Sequence, residues 1–477
     1  MLGRVQGTAA VETRFLTAAS DRARPAAENP RGHAIVPRSV RDTAHMPLPS
    51  LQAVRLGSFK SYHDQQMEMG PLTLIVGRNA SGKSNALDAL SLLALLADER
   101  DVADLERGDQ EVAGIRGGLS GAAPFGEEVV RVGCSIETTE GDMLDLDLEL
   151  DASDRPEIVS EKLVLKRKRG TVLVLIDARR QSKGAGISDV QVYSGGAPKT
   201  YTMLSTRLAA AQALTKVPED TQRRTLVVTS CGQAVAALRG IFVLDPVPAQ
   251  MRGYVRIGSP PDRAGSTVSA MAYKLREDDD SWARLNELVI GLVETQLKEM
   301  TFSEGRLPDS RLVDVMVALV EQAGTKTFTA PAQVMSDGTL RYLSIVASLL
   351  SLRSDQPAGT PPVRRTLVVE EIENGLFPSQ GARVLDLLRS EAKDQDVRLV
   401  ATTHSPALLD ALRPEDHAGV IVCDRTSDGL SRLRPLVKLP NYVEIAGGGL
   451  VGRAVTKGLL ELPANGASRR SFSELFS

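Results

Sequence analysis

Four short stretches of the sequence carry residues whose types and spacing could act together on a phosphorylated ligand. Residues 77–84 read GRNASGKS, the pattern G-x-x-x-x-G-K-[ST]. Gly77 and Gly82 let the backbone curl without a Cβ clash, so that successive N–H groups converge on phosphate oxygens. The helix that follows turns its positive end to the same place. Lys83 is expected to reach the β- and γ-phosphates, and Ser84 to place its hydroxyl on Mg2+.

Residues 366–378, TLVVEEIENGLFP, form the second stretch: an apolar strand that ends in two adjacent carboxylates. At the carboxyl edge of a parallel sheet both acids stand beside the phosphate loop. One carboxylate is needed to hold Mg2+, through water, and the other to orient and polarise an attacking water. Order along the strand assigns Glu370 to the metal and Glu371 to the water. Asp is the usual first acid of such a pair, and Glu lengthens the arm by one methylene. The third stretch, Ser336-Asp337-Gly338-Thr339, opens the apolar helix LRYLSIVASLLSL. Ser336 is a good N-cap, and a helix N-terminus with Gly338 allowing close approach is a ready anion site. Most such segments merely cap helices; this one stands 28 residues ahead of Arg364 and the acidic strand. In the fourth, residues 401–406 read ATTHSP just past another apolar strand. His404 is expected to reach the γ-phosphate and the attacking water as a polar sensor.

The elements that must position these groups can be read from hydrophobic pattern. Residues 51–62 read as a strand and turn, and LTLIV at 72–76 is a continuous apolar run of the kind buried on both faces. An apolar helix spans 86–97. Short strands separated by turn signals fill 129–176 and predict an antiparallel sheet with a hairpin at 166–170. Residues 181–330 look mixed, with helices expected near 203–214 and 282–297 and a charged helix start at 277–280. A helix from Ser336, a strand at 367–369, a helix after Pro378 and a strand at 397–401 then alternate as in a parallel sheet covered by helices. A last helix is expected at 444–462. No internal repeat or coiled-coil heptad is present. The reading divides the chain at 1–45, 46–180, 181–330, 331–460 and 461–477.

Composition bounds the function. The chain has 477 residues, which by length alone is roughly three domain-sized units. It carries 57 basic and 60 acidic residues, a net charge of −3, which excludes a globally basic nucleic-acid coat and leaves only a local patch for such contact. Aromatic residues are 4%, which argues against a base-stacking platform. Cys134, Cys231 and Cys423 show no metal-ligand spacing and fit a reducing, cytoplasmic setting. The 86–97 helix is too short for a membrane span, and Asp88 and Ser91 interrupt it. Residues 1–45, with seven Arg and four acidic residues, read as a disordered extension, as a transit peptide, or as sequence ahead of a true start at Met46.

Taken together, the motifs resemble the ABC-type ATPase heads of the SMC, RecF and OLD group. The resemblance covers most of residues 46–460: VRLGSFKSY, GRNASGKSN, MSDGTLRYL, VVEEIENGLFP and TTHSP. It implies an α/β fold, a P-loop NTPase with a mixed sheet, an antiparallel β subdomain and a helical lobe. It implies ATP and Mg2+ as cofactors and adds Asn79 and Asn85 to the expected nucleotide contacts. In this group two heads sandwich two ATP molecules. Ser336 and Gly338 would then act in trans on the γ-phosphate held by Lys83, Ser84, Glu370, Glu371 and His404 of the other head, with Asn374 and Gly375 at the dimer interface. Phe377 stands where many relatives carry His, and no glutamine following the phosphate-loop helix is assigned. The 100–330 insertion is far too short for SMC arms, and the roughly 70 residues after His404 hold no nuclease constellation.

Two function classes follow. One is an ATPase that pairs head to head on ATP and gates an effector protein or double-stranded DNA, as in DNA repair or phage defence. The other is an ATP-binding scaffold with negligible turnover that holds a partner assembled or silent. A transporter motor is disfavoured by MSDGT in place of LSGGQ. The basic run Lys166-Arg167-Lys168-Arg169 at the predicted hairpin tip reads either as a DNA-phosphate grip or as a solvated turn.

Overall fold

The computed structural model describes residues 48–107, 115–292, 296–306, 313–354, 362–376, 378–393, 397–447 and 451–456. The readings made of residues 1–45, Phe377 and the tail from 461 lie outside them. The described residues belong to one compact unit, Met46–Ser477.

The strands are β1 (Ser50–Phe59), β2 (Tyr62–Glu68), β3 (Leu72–Val76), β4 (Val129–Glu137), β5 (Met143–Asp151), β6 (Glu157–Lys166), β7 (Val172–Arg180), β8 (Ile187–Val192) and β9 (Lys199–Leu204). They continue as β10 (Ile241–Leu244), β11 (Val255–Arg256), β12 (Gln296–Arg306), β13 (Val313–Ala323), β14 (Lys326–Pro331), β15 (Arg365–Val369), β16 (Val397–Thr403), β17 (Val420–Arg425) and β18 (Ser431–Pro435). Among the described residues, fourteen of them form one sheet in the order β10-β15-β16-β3-β17-β18-β2-β1-β4-β5-β6-β7-β8-β9. From β10 to β17 the pairing is parallel. From β2 to β9 it is an antiparallel meander. The two halves meet where Ser431 of β18 pairs with Tyr62 of β2. A second sheet holds β11, β13, β12 and β14.

The parallel strands read as apolar runs because both their faces are covered. Period-two alternation then sends neighbouring side chains into different cores. Ile75, Val368 and Val400 pack on one side with the helices Lys83–Ala97 and Gln222–Arg239. Leu74, Val76, Leu367, Val369, Leu399 and Ala401 pack on the other with the helices Asp337–Ser354 and Pro378–Lys393. The ladder sets Val369 beside Ala401 and Thr403 beside Val76, so the residues that follow β15, β16 and β3 emerge at one edge.

The mixed α/β architecture, the antiparallel β subdomain and the 166–170 hairpin match the sequence reading; the hairpin closes through an Arg167 N–H bond to the Thr171 carbonyl of 2.8 Å. Two expected helices are corrected. Met203 lies in β9, and the helix starts only at Ala209, because the 199–204 segment extends the meander as its edge strand. The helix around Trp282 spans Asp279–Leu292, and Leu297 belongs to β12, paired along β13. Along the expected C-terminal helix the described residues hold the helices Tyr442–Gly447 and Val451–Thr456, and the rest of that expectation lies outside the described residues. The three cysteines are free and buried. Among the described residues no helix is long and apolar enough to cross a membrane.

Candidate nucleotide-binding site

The phosphate loop joins β3 to the helix Lys83–Ala97. Two of its residues take left-handed backbone angles, Ala80 at φ 61° and Gly82 at φ 116°. Gly77 is small for a different reason: a Cβ there would stand 2.2 Å from the Cys423 carbonyl oxygen of β17. Side chains from distant segments anchor the outward carbonyls of the loop. Tyr62 Oη donates to the Gly82 oxygen at 2.9 Å, and Ser431 Oγ donates to the Ser81 oxygen at 2.6 Å. Holding the Ser81 and Gly82 carbonyls in this way favours a loop whose remaining N–H groups can form an anion-binding concavity. Lys83 Nζ donates to the carbonyls of Gly77 (2.8 Å) and Arg78 (3.0 Å). Burial lowers the Lys83 pKa, and the negative groups around it, Glu371 among them, oppose that fall.

A cleft of about 290 Å³ opens over this loop, lined by Asn79, Ala80, Gly82, Lys83, Ser84, Asn85, Glu371, Thr402 and Arg425. Asn85 Nδ2 is tied to Ser61 Oγ at 2.9 Å.

The two acids after β15 diverge. Glu371 lines the cleft from a left-handed backbone, φ 48°, held by its own N–H on Thr402 Oγ1 at 2.8 Å. Glu370 is buried and turned onto Arg116, whose Nη1 lies 3.0 and 3.1 Å from its two oxygens. The same guanidinium bonds Asp88, which is fully buried, and the Ser84 carbonyl at 2.9 Å. Lys60 Nζ adds a 2.6 Å contact to Asp88. Burial works to lower the Arg116 pKa, but Asp88 and then Glu370 raise it above its ordinary value.

A Mg2+ ion bound with a nucleotide takes few protein oxygens and fills its shell with phosphate and water. Ser84 lines the cleft and fits that demand, whereas Glu370 does not line it and has both oxygens on Arg116. The same guanidinium also bonds the Ser84 carbonyl, so the two residues are neighbours. Among the described residues no cluster of three His, Cys, Asp or Glu forms an all-protein metal cage.

His404 stands beside Glu371, its Nδ1 3.9 Å from the Glu371 carboxylate and 3.3 Å from Glu373. Ser336 and Gly338 do not line the cleft. Ser336 caps the helix Asp337–Ser354, its Oγ accepting the Thr339 N–H at 3.1 Å. Arg252 steadies the approach to that helix through the carbonyls of Gln333 (2.8 Å) and Met335 (2.9 Å). The smallness of Gly338 is used within the chain: a Cβ there would lie 2.1 Å from the Gly375 oxygen. Sequence reasoning did not find Tyr62, Asp88, Arg116, Glu373, Thr402, Arg425 or Ser431. Of these, Tyr62, Glu373 and Thr402 had a local signal, lying inside the motifs already singled out.

Residues 72–165 and 243–410, more than half of the chain, match the family described as "AAA domain, putative AbiEii toxin, Type IV TA system". The chain belongs to this AAA-domain family. The matched segments contain the phosphate loop, the signature helix start, both acids and His404. Membership agrees with the resemblance to ABC-type ATPase heads of the SMC and RecF group. Among curated relatives, the DNA replication and repair protein RecF of Synechococcus sp. (strain JA-2-3B'a(2-13)) is 33% identical over 119 residues, 25% of this chain and 27% of the relative. RecF of Gloeobacter violaceus (strain ATCC 29082 / PCC 7421) is 33% identical over 106 residues, 22% of this chain and 24% of the relative. The chain thus spans about a quarter of the length of the curated relatives it matches. Among solved structures, an SMC head bound to the C-winged helix domain of ScpA aligns over 81% of this chain and 97% of its own, at 15% identity and TM-score 0.43. The recombination mediator RecF, in a structure titled "RecF-ATPrS", aligns over 81% and 99%, at 12% identity and TM-score 0.35.

Proposed function

We propose that this protein is a Mg2+-dependent ATPase that works as a switch. It binds ATP at the phosphate loop, pairs head to head with a second copy, and separates after hydrolysis to ADP and phosphate. Its output is the gating of an effector protein or of double-stranded DNA, in DNA repair or phage defence. The observation that carries the reading is that Lys83 and Glu371 line one cleft, the first from the loop and the second from the end of β15.

The chain's own groups divide the work. Loop N–H groups and Lys83 hold the phosphates, and Asn79 and Asn85 line the same cleft. Glu371, fixed by Thr402, orients the attacking water and draws on its proton. His404, beside Glu371, senses the γ-phosphate end. Ser84, with Glu370 once released by Arg116, would hold Mg2+, which would neutralise phosphate charge. Ser336 and Gly338, at the start of their helix, reach the nucleotide of the partner head.

A second reading, an ATP-binding scaffold with negligible turnover, is favoured by the hold of Arg116 on both Glu370 oxygens. Phosphate release by the wild type and by Glu371→Gln, with and without double-stranded DNA, separates the two. The ATPase reading expects turnover that Glu371→Gln removes while ATP binding remains. A wild type that binds ATP with no turnover to lose supports the scaffold. Stimulation by DNA identifies DNA as the gated partner, and indifference to it points to a protein.

A further inference from the structure

The cleft holds a second cation that no motif announces. Arg425 is the last residue of β17 and lines the cleft together with Lys83. Its Nε donates to the Ala80 carbonyl at 2.7 Å, and its Nη1 donates to the Gly429 carbonyl at 2.9 Å. Ala80 has a Cβ yet sits at φ 61°, a conformation that persists only where its surroundings enforce it. The Arg425 bond to the Ala80 carbonyl contributes to that enforcement.

The charge of Arg425 is not spent inside the protein. The residue is exposed, it makes no ion pair among the described residues, and its Nη2 makes no hydrogen bond among them. The adjacent carboxylate, Asp424, is occupied by Arg432 at 3.0 Å and Arg434 at 2.5 Å. Arg116, by contrast, is tied to Asp88 and Glu370. A planar guanidinium held by two carbonyls, with one amino group left over on the wall of a phosphate cleft, is a preorganised anion ligand.

We propose that Arg425 is a nucleotide-binding residue, which props the phosphate loop through Ala80 and presents Nη2 to the phosphates of a bound nucleoside triphosphate. The proposal rests on the ATP-binding reading above and extends the site to the β17–β18 hairpin. The test is calorimetric titration of MgATP into the wild type, Arg425→Ala, Arg425→Gln and Arg425→Lys at two salt concentrations, beside thermal midpoints without nucleotide. Gln keeps a donor for the Ala80 carbonyl but has no charge; Lys keeps the charge without the fork. The expected result is a loss of about tenfold or more in affinity for Ala, a clear loss with shallower salt dependence for Gln, and partial recovery for Lys. Ala binding within about twofold of the wild type, at an unchanged thermal midpoint, overturns the proposal. So does a Gln variant that binds as the wild type does, which leaves Arg425 only a structural prop. If Ala fails to fold, Gln and Lys carry the test. A wild type that does not bind ATP fails the ATP reading itself, and that outcome is distinct from equal binding by wild type and variants.

Discussion

Glu373 Oε1 accepts the backbone N–H of His404 at 2.7 Å and lies 3.3 Å from the same residue's Nδ1. One carboxylate oxygen thus bonds the backbone of the turn after β16 and stands beside the ring that turn carries. The other oxygen, Oε2, is buried with no hydrogen-bond partner among the described residues. The tautomer with its hydrogen on Nδ1 would turn that hydrogen to Glu373 and leave Nε2 as the end of the ring open to a ligand. Glu373 is therefore a positioning residue for His404.

Replacing it should separate catalysis from binding. Glu373→Ala is expected to lower kcat about tenfold or more while changing the KM for ATP little, with Glu373→Asp restoring part of the rate. Nitrogen NMR of His404 should lose the Nδ1–H signature in the Ala variant. Equal losses in kcat and in ATP affinity, with that signature intact, contradict the role.

Gly338 and Gly375 leave no room for a side chain between them. Gly338→Ala places a methyl group on the Gly375 carbonyl, a backbone atom that cannot swing aside. The expected cost is about 1–3 kcal/mol of strain, read as a lower thermal midpoint, together with weaker ATP-driven pairing in light scattering. An unchanged midpoint would mean that the two segments are not packed as described.

Glu161 gives a pH signature. It is buried, and it caps the helix Ala209–Lys216 by accepting the N–H groups of Ala209 (2.5 Å) and Ala210 (2.7 Å). Burial pushes its pKa up to about 7 against the restraint of those two N–H groups. An unfolded Glu titrates near 4.3, so between about pH 4 and 7 the folded protein binds more protons than the unfolded chain. The stability this group contributes is complete below that window and is lost as pH rises through it. Glu161→Gln should start from lower stability at pH 5, through loss of the cap, and fall less between pH 5 and 7.5 in denaturant melts. Parallel wild-type and variant curves would refute the assignment.

The basic hairpin is partly spent within the chain, since Lys166 pairs with Asp145 at 2.5 Å. Arg167, Lys168 and Arg169 are exposed at the tip. If they grip DNA, replacing these three by Ala should lower affinity and reduce the slope of log K against log salt by about 2–3. No change in either quantity returns the tip to a solvated turn.

The parts legible in the sequence were those carried by contiguous residues. The phosphate loop, the acid pair and His404 each lie in one short segment, and the apolar strands before them show in composition alone. The illegible parts are contacts closed by the fold. Arg116 reaches Glu370 across 254 positions and Arg425 reaches Ala80 across 345, and no local spacing encodes either. The divergence of Glu370 and Glu371 was equally hidden, because it depends on a left-handed backbone at Glu371 that Thr402 holds. Met203 was misread because the 199–204 segment is defined by its pairing with β8, not by its own periodicity.

Titration of MgATP into the wild type and Lys83→Ala measures nucleotide binding at the loop itself. Lys83 is the cation at the heart of the loop, and its removal strips the phosphates of their main partner while leaving the β3–helix junction in place. Saturable binding by the wild type is expected, with a loss of about a hundredfold or more in the variant, the scale of one charge-assisted contact deprived of its cation. Equal affinity in the two proteins would contradict nucleotide binding at this loop.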